Sequence, residues 1–94
     1  MEVFIKGYNW PAVISFDGHV LETFVWSKGS EVRFHIRQIT SIQLSPADKH
    51  GNLQLTCKVA GGYLPTQNLG QIAPDEVGEV QQLVAAVQQA IHTP

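Results

Sequence analysis

Through its first two-thirds the chain alternates apolar and polar positions in short runs. Gly, Pro or Asp-Gly signals interrupt these runs every roughly 8–12 residues, the rhythm of a small β-barrel or sandwich. Residues 2–6 form the first predicted strand. It closes at Gly7 and the bend Tyr8-Asn9-Trp10-Pro11, where proline removes a donor and holds Trp10 extended. Ala12, Ile14 and Phe16 point to one side, and Asp17-Gly18 then predicts a hairpin with a type I′ turn, which needs positive φ at both central residues. The return strand, residues 19–26, has no single inward face. Val20, Phe24 and Trp26 compete with Leu21, Thr23 and Val25, which predicts a bulge or sharp bend.

After the turn Ser27-Lys28-Gly29-Ser30 comes the cleanest period-two segment, with Val32, Phe34 and Ile36 inward and Arg33, His35 and Arg37 outward. Gln38 to Ser41 reads as an irregular corner before a strand carrying Ile39, Ile42 and Leu44, and residues 46–52 as a loop. Leu53, Leu55, Cys57 and Val59 alternate through another half-buried strand, and Gly61-Gly62 turns it into Tyr63 and Leu64, with an edge at Pro65. About seven strands are therefore expected between residues 2 and 72.

From residue 74 to residue 92 the period lengthens. Val77, Val80, Leu83, Val84, Val87 and Ile91 follow the three-and-four spacing of one apolar helical stripe. Pro74 suits the first turn, and Asp75, Glu76 and Glu79 complement the positive end of the helix dipole. The expected fold class is α+β, mainly β: a single domain over residues 1–94, with an antiparallel barrel capped by a C-terminal α-helix.

A chain of 94 residues with 44% hydrophobic content is large enough for one core without staples. Charged residues are 15% of the chain, below the ~25% usual for soluble domains, which leaves much uncharged surface for self-association or a partner. The net charge of −2 gives nucleic acid no attraction and argues against strong attachment to anionic lipid. Cys57 is the only cysteine, so no disulfide forms within the chain, and a reducing compartment is expected. No basic leader precedes a long apolar run and no segment reaches the ~18 apolar residues of a membrane span, so the expected location is cytoplasmic.

His19, His35, His50 and His92 lie in different predicted elements without ligand spacing, and no nucleophile elbow, phosphate loop or dinucleotide fingerprint occurs. Cys57 falls on the apolar side of its strand as a core residue. No catalytic, cofactor-binding or metal-ligating residue is assigned. Three surfaces remain as candidates. Gly78, Gln81, Gln82, Ala85, Gln88 and Gln89, with His92, form an uncharged helix face suited to a subunit or protein partner. Lys28, Arg33, His35 and Arg37 form the one basic stripe, within reach of a phosphorylated headgroup or other anion. Tyr8 and Trp10 form an aromatic contact loop.

Three blocks carry a family resemblance: Gly7-Tyr8-Asn9 with Phe16-Asp17-Gly18; Lys28-Gly29, Glu31 and Ile36-Arg37-Gln38-Ile39-Thr40-Ser41-Ile42-Gln43; and Gly51-Asn52-Leu53-Gln54-Leu55-Thr56 with Gly61-Gly62. With the terminal helix, their order resembles a small bacterial pleckstrin-homology-like family of unknown function. Trp10 departs from the glycine often found there. The resemblance implies two near-orthogonal sheets closed at one end by the helix, and it brings no catalytic residues. The expected function is a non-enzymatic interaction or self-assembly module. The alternative is peripheral binding of an anionic headgroup through Arg33, His35 and Arg37.

Overall fold

The computed structural model describes residues 1–6, 11–25, 30–60 and 66–92. Seven strands lie within them. β1 (Glu2–Ile5), β2 (Ala12–Phe16), β3 (Val20–Val25) and β4 (Ser30–His35) form one antiparallel sheet in chain order, and β5 (Ile39–Leu44), β6 (Leu53–Val59) and β7 (Thr66–Ile72) form a second. A 3-10 turn, Ile36–Gln38, links the sheets, and a second, Pro74–Glu76, leads into the single helix α1 (Val77–His92). The fold is thus mainly β, with two antiparallel sheets and a C-terminal helix. Tyr8, Trp10, Lys28 and the segment 61–65 lie outside the described residues.

Register explains which side chains face inward. Val3 stands opposite Ile14 and Ile14 opposite Thr23, while Phe16 faces Leu21 and Leu21 faces Phe34. These positions share one face and are buried, except that Phe34, on the edge strand, is half-buried. In the second sheet Ile42, Leu55, Cys57 and Ile72 are likewise buried. Val80, Leu83, Val84 and Val87 of α1 close the same core. Burial of these four side chains contributes roughly 6–12 kcal/mol, at about 1.5–3 kcal/mol each.

Two expectations change. The β2–β3 connection is not a type I′ turn, because within it only Gly18 has positive φ, at 103°, and no non-glycine among the described residues does. The Asp17 carboxylate organises the loop instead: its Oδ1 accepts the backbone N–H groups of His19 and Val20, both at 2.8 Å. These bonds hold the Asp17 carboxyl below its usual range. The two-faced pattern of β3 produces no bulge, since its register with β2 and β4 is continuous. Leu21 and Thr23 take the core face and Val20 and Phe24 are half-buried on the other. The irregularities fall in the second sheet, between Ile39 and Ser41 and between Leu55 and Thr56.

The β7 irregularity has a steric basis. Leu69 is the extra residue, and Gly70 has φ of 151°. A Cβ at Gly70 would meet Ile5 Cδ1 at 2.9 Å, so a glycine allows β7 to pass close to β1.

Glu76 joins the helix start to the first sheet. Its Oε2 accepts the Lys6 N–H at 2.7 Å, and its Oε1 accepts the Ala73 N–H at 3.2 Å. The carboxylate is buried, with 9% relative exposure. It therefore does more than complement the helix dipole: it ties the end of β1 to the entry of α1. The exposed Lys6–Asp75 pair, at 3.7 Å, adds little.

Two substitutions should move stability in opposite directions. Glu76→Ala leaves two backbone donors without their acceptor and should cost about 2–4 kcal/mol in urea unfolding. Thr23 Oγ1 is buried without a hydrogen-bond partner among the described residues. Thr23→Val should therefore raise stability by about 1 kcal/mol, seen as a melting temperature higher by several degrees.

Candidate functional site

A concavity lies where the β2–β3 loop, the 36–38 turn and the last turns of α1 meet. It is a groove of about 850 Å³. Phe16, Ile36, Ala86, Ala90 and Ile91 supply its apolar lining, and Gly18, His19, His35, Arg37 and Gln89 its polar lining. Such a balance, apolar with a few placed polar groups, is typical of binding clefts.

Local hydrogen bonds fix the strand-side wall. The His19 carbonyl accepts the Ile36 N–H at 2.7 Å, joining the β2–β3 loop to the 36–38 turn. At the start of that turn His35 and Gln38 cap it reciprocally: His35 Nδ1 accepts the Arg37 N–H at 3.2 Å, and Gln38 Oε1 accepts the His35 N–H at 2.9 Å. An imidazole accepting at Nδ1 carries its hydrogen on Nε2, so His35 presents a donor from its far side. His19 stands beside it, with ring centroids 6.5 Å apart and planes inclined by 42°.

This meeting of two histidines differs from the scattered placement expected from sequence. His35 lies directly opposite Val20 in the β3–β4 register, which puts it next to His19. The signal is conditional on register and invisible to ligand-spacing rules. Among the described residues no three His, Cys, Asp or Glu side chains are grouped as a metal site would require.

The basic stripe is divided. Arg33 Nε lies 3.0 Å from Glu22 Oε1 on the neighbouring strand, so its charge is paired on the outer face of the sheet. Arg37, by contrast, makes no ion pair among the described residues and lines the groove. Lys28 falls outside the described residues. The structure thus gathers His35 and Arg37, leaves Arg33 to Glu22, and adds His19.

The uncharged helix face is exposed throughout at Gly78, Gln81, Gln82, Ala85, Gln88 and Gln89. Its members are not equivalent. Gln88 Nε2 donates to the Ile42 carbonyl at 3.1 Å and so ties α1 to β5. Gln89 belongs to the groove. A surface not anticipated from sequence lies on the outer face of the first sheet, where cross-strand register aligns Phe4, Val13 and Phe24. Phe4 is 60% exposed there.

Cys57 is buried on β6, and burial pushes its thiol up from 9.0 to about 11. A neutral, enclosed thiol is a poor nucleophile. No helix among the described residues is long and apolar enough to cross a membrane. No protein-family model matches the chain, nor does any curated protein or solved structure.

The Cys57 environment sets a pH dependence. Because folding raises its pKa, its contribution to stability is complete below about pH 9 and fades as the pH rises toward 11. Alkaline unfolding of native protein should therefore be steeper over this window than that of Cys57→Ala. Iodoacetamide at pH 8 should label native protein far more slowly than protein in urea.

Proposed function

We propose that this chain is a non-enzymatic interaction module, a pleckstrin-homology-like barrel acting in the cytoplasm, and that it receives a segment of a protein partner in the groove beside α1. Support for the barrel is the order of four, then three, antiparallel strands followed by one helix. The observation that carries the binding role is the groove itself, whose apolar lining and few polar groups come from three separately fixed elements. Binding at such a site needs no side chain with altered reactivity.

Self-assembly is a second reading, favoured by the outer row Phe4, Val13 and Phe24 and by the exposed Gly78, Gln81, Gln82 and Ala85. In that row Phe4 is exposed and Val13 and Phe24 are half-buried, and an exposed apolar side chain among apolar neighbours favours a contact surface. Headgroup binding through Arg33, His35 and Arg37 has less support, because Glu22 already engages Arg33.

Panning a random peptide display library on the immobilised protein tests the leading reading. Clones should enrich on the native chain and fail on Gln89→Trp, a groove-filling change at an exposed position whose fold is checked by thermal melting. Light scattering tests the second reading: a mass above the monomer that falls on Phe4→Glu supports it, and a strict monomer at high concentration removes it.

A further inference from the structure

We infer that the groove selects a short peptide segment in which an acidic side chain sits next to aliphatic or aromatic ones; this rests on the reading of the groove as the interaction site. The argument starts from how charge is distributed between its walls. Every cationic or imidazole group in the lining, His19, His35 and Arg37, belongs to the strand side, while the helix supplies Ala86, Gln89, Ala90 and Ile91. Among the described residues no carboxylate belongs to the lining. The nearest acidic group in sequence, Asp17, has Oδ1 bonded to the backbone N–H groups of its own loop and interacts electrostatically with His19. Among the described residues that leaves Arg37, with His35 beside it in the lining, as the uncompensated attraction for an anion.

The helix side opposes a negative group, because a helix C-terminus carries partial negative charge. An occupant is therefore oriented, with its carboxylate toward Arg37 and His35 and its apolar part against Ala86, Ala90 and Ile91. A single guanidinium matches a carboxylate through paired N–H bonds. A doubly charged phosphoryl group on a membrane surface would need more cations than this wall offers, since Arg33 is held by Glu22 at 3.0 Å. The net charge of −2 also repels an extended anionic surface, while a compact ligand meets only the local field.

The test uses clones selected on the full chain and synthetic peptides made from them. Enriched sequences should carry Asp or Glu within two positions of Leu, Ile or Phe. Their Asn/Gln versions should bind about tenfold more weakly, and Arg37→Gln should cause a similar loss. His35→Asn keeps a side-chain acceptor for the Arg37 N–H while removing the Nε2 donor, and should weaken binding several-fold with the melting temperature held. Binding should also decline as NaCl rises from 0.05 to 0.5 M, roughly as Debye screening dictates. Groove-dependent clones without acidic enrichment, or unchanged affinity for the Asn/Gln versions, would overturn the inference and leave the interaction module standing. Absence of any groove-dependent clone overturns both. Arg37-dependent cosedimentation with phosphatidylserine vesicles, without peptide binding, replaces the peptide by a membrane surface.

Discussion

The two sheets share no paired strands among the described residues, so their relation depends on what fills the space between their apolar faces. Those faces meet in one core, and α1 closes it. Val80, Leu83, Val84 and Val87 present one stripe to both sheets, and their burial is comparable in size with the roughly 5–15 kcal/mol net stability of an ordinary domain. Directional contacts then set the position of the helix. Glu76 ties its entry to β1, and Gln88 ties its last turns to β5. A stripe alone tolerates sliding or rotation, since hydrophobic contact is non-directional. The two polar contacts, twelve residues apart along the helix approach, remove that freedom.

The groove follows from this placement. Its strand-side wall is organised by short-range bonds: the Asp17 carboxylate in the β2–β3 loop, the reciprocal His35 and Gln38 cap, and the bond from Ile36 to His19. Its other wall is the C-terminal part of α1, already fixed by the core. A site assembled from parts that are ordered for other reasons spends little entropy on binding. It also gives one side chain two roles, because His35 caps a turn through Nδ1 and lines the groove.

Period alone made much of this architecture legible. Ala12, Ile14 and Phe16 occupy the core face their alternation indicated, Leu55 and Cys57 do the same in β6, and the middle of the α1 stripe, Val80, Leu83, Val84 and Val87, is buried while Val77 and Ile91 at its ends are half-buried. β7 was obscured because it is an edge strand with a bulge. Thr66–Ile72 buries only Leu69 and Ile72, and the extra residue before Gly70 breaks the period-two signal. Glu76 resembled any acid in a first helical turn, and only tertiary structure brings the Lys6 N–H to it across seventy positions. The groove was illegible for the same reason. Phe16, His35 and Ala90 have no sequence relation; Arg33 and Arg37 look alike until register gives one of them Glu22.

Small side chains on the helix finally explain why there is a groove at that corner at all. Ala86 and Ala90 are four residues apart, hence neighbours on one helix face, and both are half-buried against the core. Leucine at either position would bury more apolar surface, worth about 2 kcal/mol, by occupying the space that is now open. The stripe one step around the helix, Val80, Leu83, Val84 and Val87, is buried. The same helix therefore packs tightly where it bridges the sheets and leaves room where it faces the 36–38 turn. The unfilled apolar surface lies opposite the one arginine of the turn without an ion pair among the described residues, which aligns shape and charge toward the same kind of occupant.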